Sequence, residues 1–137
     1  MAVKVHGIDL KNPITLRAAA LVAADGEDAA VFIGRGMFLL QLVWTACEAA
    51  SGDEFYNVQL QYNTAAATST WLDDINIAFG DTLLLGGAAE TAATGDMVVG
   101  MFNPYDHQAR TKNWVTGTIA TGFNYAAYVY PINQAPF

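Results

Sequence analysis

The side chains that could do chemistry in this chain are few, and their spacing fits no catalytic set. Two serines occur, Ser51 and Ser69, and neither lies in the Gly-x-Ser-x-Gly turn that exposes a nucleophile. His6 and His107 stand far apart, without the His-x-x-x-His spacing that puts two ligands on one metal. His107 follows Tyr105 and Asp106, which leaves a proton-transfer pair open beside the plainer reading of an exposed loop histidine. Cys47 is the one cysteine and lies in an apolar run, where a thiol behaves as a small buried hydrophobe. A single cysteine allows no intramolecular disulfide and fits folding in a reducing cytosol. Gly34-Arg35-Gly36 lacks the third glycine of a dinucleotide loop and opens a strand instead of a helix. Asp73-Asp74 and Asp25-Gly26-Glu27-Asp28 offer oxygen donors of the kind calcium takes, but neither has the spacing of a calcium loop. Acidic turns account for both. The expectation is a protein that is not an enzyme, with no cofactor and no metal.

The elements that would position such groups read as strands. The chain has 137 residues, one domain's worth and enough to bury a substantial core. Only 14% of it is charged, against about a quarter in ordinary soluble domains. Residues 1–24 carry three cations against Asp9, a balance of +2, whereas the remainder carries three cations against twelve acids, a balance of −9. An acidic body argues against a nucleic-acid partner, because phosphates need clustered Lys and Arg. The acidity also keeps a charge-poor protein in solution. The first residues lack the apolar core of a signal peptide, and no apolar run approaches the ~18 residues needed to span a bilayer.

Residues 1–13 read as an extended N-terminal arm or an edge strand, closed by Pro13. Ile14 to Ala24 is alanine-rich enough for a helix but alternates well enough for a strand, and the β character downstream favours strand. Asp25-Gly26-Glu27-Asp28 reads as a tight turn with positive φ at the glycine. Ala30–Ile33 is a short strand. Met37 to Cys47 is apolar on both faces, with Phe38, Leu40, Leu42, Trp44 and Ala46 on one side. Such a strand is covered twice or meets a partner. In Phe55 to Tyr62, Tyr56, Val58, Leu60 and Tyr62 point in, while Asn57, Gln59 and Gln61 point out.

Residues 64–74 read as a loop with a helical start. Short strands follow at Ile75–Phe79, Thr82–Leu85 and Met97–Phe102, with an exposed loop over 88–94. Asn103-Pro104-Tyr105-Asp106 is a turn, and Arg110–Thr121 and Phe123–Ile132 are the closing strands. The whole predicts an all-β fold. It is a single antiparallel β-sandwich over residues 14–137, jelly-roll-like, with about eight strands.

The last strand concentrates aromatic residues. Phe123, Tyr125, Ala127 and Val129 share the face expected to pack the core, and Asn124, Ala126, Tyr128 and Tyr130 share the other. Tyrosines on an outer face serve as interface anchors or as stacking platforms for sugars, or are simply exposed.

This organisation resembles the jelly-roll capsid cement, or decoration, proteins of tailed bacteriophages. The resemblance rests on the short N-terminal arm, the Asp53-Glu54-Phe55-Tyr56-Asn57-Val58-Gln59-Leu60-Gln61 strand and the Gly95-Asp96-Met97-Val98-Val99-Gly100-Met101-Phe102-Asn103 strand. A closing hairpin, Val115-Thr116-Gly117-Thr118 to Asn124-Tyr125-Ala126-Ala127-Tyr128-Val129, completes it. It covers residues 30–132 and consists of strand character and turn placement. It implies a non-enzymatic structural protein made in the host cytoplasm and carried on the capsid exterior of the virion. Its implied partners are the major capsid protein and its own copies, as a homodimer or homotrimer, with no nucleic acid and no membrane. The residues expected at partner interfaces are Val3, Lys4, Val5, Ile8, Leu10 and Lys11 of the arm, and Tyr128 and Tyr130. The alternative is a carbohydrate- or receptor-binding β-sandwich module of a virion.

Overall fold

A computed structural model describes residues 13–48, 51–80 and 94–132, together with the backbone of Lys4–Val5 and Ile8–Asp9. The expected strand at 82–85 and most of the loop at 88–94 lie outside the described residues. No helix occurs among those described; the strands are β1 (Lys4–Val5), β2 (Ile8–Asp9), β3 (Ile14–Val22), β4 (Gly26–Glu27), β5 (Val31–Phe32), β6 (Gly36–Cys47), β7 (Phe55–Thr64), β8 (Ala67–Gly80), β9 (Gly95–Asn103), β10 (Gln108–Thr116) and β11 (Phe123–Pro131).

Two antiparallel sheets form the sandwich. The first has the order β3-β11-β6-β9 and the second β4-β10-β7-β8, with β5 also paired to β10. β4 and β5 lie along one edge of β10, with Glu27 opposite Lys112 and Val31 opposite Ala109. They are two pieces of one broken edge strand, which makes eight strands in the two sheets among the described residues. The chain passes back and forth between the sheets and closes with its last strand beside its first, the wiring of a jelly roll. The all-β sandwich read from the sequence is the fold observed.

The inward faces come from period-2 alternation. Phe38, Leu40, Leu42 and Trp44 of β6 and Phe123, Tyr125, Ala127 and Val129 of β11 are buried against Tyr56, Val58, Leu60 and Tyr62 of β7 and Phe79 of β8. Aromatic rings span the two layers: Phe79 lies 4.5 Å from Phe123, which stacks on Tyr56 at 5.4 Å and Tyr125 at 5.1 Å. Such rings contribute contact geometry beyond their buried area.

Several expectations are corrected. Asp25–Asp28 is not a tight turn: Gly26 and Glu27 form β4, and Gly26 is not among the glycines with positive φ. The edge of β10 holds this segment, through Asp28 N–H to Thr111 O and through Val115 N–H to Asp25 Oδ1. Residues 64–74 are not a loop with a helical start but a two-residue turn at 65–66 followed by β8, because β7 offers an open edge to pair with. β10 and β11 do not form a hairpin. They belong to opposite sheets, and the chain crosses between them at Gly117 (φ 95°) and Gly122 (φ 102°). A Cβ at Gly117 would sit 2.1 Å from Asp53 O, and one at Gly122 would sit 2.3 Å from Val22 O, so only glycine fits either bend.

In β6 a register shift opposite Asn124–Tyr125 turns Cys47 inward in place of Ala46. Gln59 and Gln61, expected to point into water, are each only 5% exposed. Residues 1–13 lie mostly outside the described residues; what is described is a ladder of Lys4 with Asp9 and Val5 with Ile8, joined to neither sheet of the sandwich.

Candidate functional site

The outer face of the first sheet is the better candidate for meeting a partner. Strand register sets Met37 beside Phe102, Leu39 between Gly100 and Tyr130, and Gln41 between Val98 and Tyr128. Val98 is 55% exposed, Phe102 46% and Met37 41%, well above what a covered strand shows. Gly100 leaves a gap in this array: a Cβ built there would meet nothing within 4 Å. Around that gap Leu39, Gln41, Val98 and Tyr130 line a hollow of about 250 Å³. Tyr130 donates its hydroxyl hydrogen bond to Gln41 Oε1 at 2.8 Å, which fixes one wall.

Tyr128 and Tyr130 are thus both half-buried on this face, where the sequence put them. Of the arm residues expected at an interface, Val3, Leu10 and Lys11 lie outside the described residues, and Lys4, Val5 and Ile8 are described in backbone only. The backbone of β2 runs near β11, the strand that carries the two tyrosines. Sequence reading missed the hollow. The alternation Val98, Gly100, Phe102 on one side of β9 was its available signal.

The outer face of the second sheet is built differently. Arg110 lies over the Trp71 ring at 4.0 Å and donates from Nε to Gln61 Oε1; Gln61 Nε2 in turn donates to Asp73 Oδ1. Lys112 lies over Trp114 at 4.8 Å. Asn76 donates to Gln59 Oε1 at 2.8 Å. Asn63 binds Gln108 and the Thr68 carbonyl, and His107 Nδ1 lies 2.9 Å from Asn63 Oδ1. His107 therefore has an amide as its partner, with Phe32 edge-on at 6.1 Å. These bonds explain why the glutamines are buried on an outer face: long cationic and indole side chains lie across them.

Between the sheets, Asp28 pairs with Arg17 and accepts from Thr111 and Asn113, while Arg17 Nε donates to Tyr125 O at 3.2 Å and its guanidinium covers the Tyr125 ring at 4.5 Å. Burial pushes ionisation of the Tyr125 hydroxyl up, so it remains a donor. This network ties β3 to β10 and is a structural clamp. Asp28 is spent in this way and Asp25 accepts from Val115 N–H, and among the described residues no three His, Cys, Asp or Glu side chains come together to hold a metal.

At the sheet crossover, Glu48 accepts from the backbone N–H groups of Ala120, Thr121 and Gly122. The bonds from Thr121 and Gly122 hold its carboxyl below the usual range. Thr118 does the same for Asp53.

The fold and its two faces define an all-β jelly-roll sandwich. No protein-family model matches the chain, and no curated protein matches it.

Proposed function

We propose that the protein is a structural clamp that binds the outer surface of a viral capsid and bridges neighbouring capsid subunits, as a homodimer or homotrimer. The observation that carries this reading is the largely apolar outer face of the first sheet, with Met37, Val98 and Phe102 exposed around the Gly100 hollow and Tyr128 and Tyr130 beside it. Contiguous apolar surface of this kind marks a protein contact. Jelly rolls recur as capsid domains. Burying such a face at roughly 25 cal/mol per Å² gives modest energy per copy, and repetition over a shell multiplies it through effective concentration. The rigid two-sheet body transmits load from one subunit contact to the next.

Co-sedimentation with purified particles tests the reading. The protein should pellet with intact shells at a fixed stoichiometry, and the Gly100→Leu variant, which fills the hollow, should stay in the supernatant. Equal pelleting of both would move the contact off this face. No pelleting of either would end the clamp reading.

A further inference from the structure

A second cavity lies where the open edges of the two sheets approach each other. Tyr62 of β7, Leu72, Asp73 and Asp74 of β8, Phe102 of β9, and Pro104 and Tyr105 of the following turn line about 200 Å³. Three of these are aromatic, two are carboxylates, and Leu72 and Phe102 are 42% and 46% exposed at its rim. The volume is below the roughly 300–1,000 Å³ of clefts that take drug-sized ligands, and suits one long side chain.

The cavity is held in shape. Opposite Gln59–Gln61 the β8 register shifts, placing two residues, Asp74 and Ile75, against Leu60 alone. Ile75 keeps its packing on the core, and Asp74 is left to reach Tyr62, whose hydroxyl donates to Asp74 Oδ2 at 2.7 Å. Asp73 is fixed by Gln61 at 2.8 Å. Tyr105 is held by its N–H to Asn103 Oδ1, and Asn103 is anchored to Gly34 O at 2.8 Å. Neither carboxylate meets a cation: the ion pair found among the described residues is Arg17 with Asp28. Asp73 is committed to Gln61 on the outer face, whereas Asp74 has one oxygen bonded to Tyr62 and, among the described residues, no donor on the other.

We infer that this cleft receives the arginine side chain of a partner protein, with the guanidinium against the spare oxygen of Asp74 and its plane along Phe102 and Tyr105. Aromatic rings beside carboxylates attract cations through both the ring quadrupole and charge. A planar guanidinium uses both better than an ammonium does. The cleft shares Phe102 with the apolar face of the first sheet, and Asp74, which lies outside that face, separates this reading from the capsid contact.

The test is titration of the ¹⁵N-labelled full chain with N-acetyl-arginine amide, followed by NMR. The uncharged isostere N-acetyl-citrulline amide serves as control. Saturable shifts should centre on 72–74 and 102–105 with the arginine probe and be absent with the citrulline probe. Asp74→Asn keeps an acceptor for Tyr62, so the fold is retained, and should weaken binding about tenfold through loss of the charge-assisted bond. Phe102→Ala, at an exposed position, should weaken it to a similar degree. Equal response to both probes, shifts centred elsewhere, or no saturable shift would overturn the assignment.

Discussion

The two outer faces of this sandwich are made by the same strand geometry and have opposite chemistry. Outside the second sheet, Arg110, Gln61 and Asp73 form one chain of hydrogen bonds across three strands, and Gln59 and Asn76 form another link. Those polar groups satisfy each other, with buried Asn57 Oδ1 left without a donor among the described residues, so that face has few groups to offer a partner. Outside the first sheet, Tyr130–Gln41 and Thr45–Asn124 are the side-chain bonds found among the described residues, and Met37, Leu39, Val43, Val98 and Phe102 make up most of the rest, beside Asp96 and Tyr128. Those side chains gain free energy only when something covers them. A sheet face can thus be stabilising or receptive, and the difference lies in whether its side chains already have partners.

The largest effect should come from filling the hollow. Gly100→Leu places its side chain in open space, so stability should stay within about 0.5 kcal/mol. Association with the shell proposed above, measured by co-sedimentation at increasing concentration, should weaken by about a hundredfold, as when the centre of an interface is lost. Unchanged association would mean that the apolar face is not the receptive one.

The second face should answer in the opposite sense. Gln61→Leu removes the acceptor of Arg110 Nε and the donor to Asp73. Unfolding free energy in urea should drop by about 0.5–1.5 kcal/mol, the net worth of the lost hydrogen bonds, since half-buried Arg110 and exposed Asp73 can turn to water, with association per folded molecule unaltered. A variant that folds as well as wild type but no longer associates would reverse the two roles.

A position outside both faces sharpens the contrast. Glu48 has a lowered pKa in the folded state, so its contribution is present above the ordinary carboxylate value of about 4.3 and is lost as pH falls through the lower folded value. Glu48→Gln should flatten the acid limb of stability measured by denaturation from pH 6 to 2, while association at pH 7 stays as it was. An unchanged acid limb would show that the three N–H bonds at the crossover contribute nothing measurable.

The smallest effect belongs to Tyr130→Phe. Losing the bond to Gln41 should cost a half-buried site about 0.5–1 kcal/mol at most, and association should change by less than about tenfold, because the ring remains. Association abolished by this change would make the face a polar recognition surface.

Much of this architecture was legible in the residues. The alternation of Tyr56, Val58, Leu60 and Tyr62, and of Phe123, Tyr125, Ala127 and Val129, named the inward sets correctly, and Tyr128 and Tyr130 were placed on an outer face. The residues of 64–74 misled because Ala65-Ala66-Ala67 has helical propensity, which the edge of β7 overrides. Asp25-Gly26 misled because a turn-prone pair was drawn into pairing with β10. The Gly100 hollow and the Asp74 cleft were not visible, since each is assembled from three strands or more.

Most strand positions, the absence of an intramolecular disulfide and most of the inward-facing set were determined by the sequence alone, because alternation depends on neighbours two residues apart. Tertiary structure decided which strands pair, where the register shifts, and which polar residues are covered. β11 lies between β3 and β6, roughly a hundred residues after the first and roughly eighty after the second in chain order, and no local pattern encodes that pairing. Gln59 and Gln61 stand at outward positions by every local rule. They are buried because Asn76, Asp73 and Arg110 arrive from other strands to bind them.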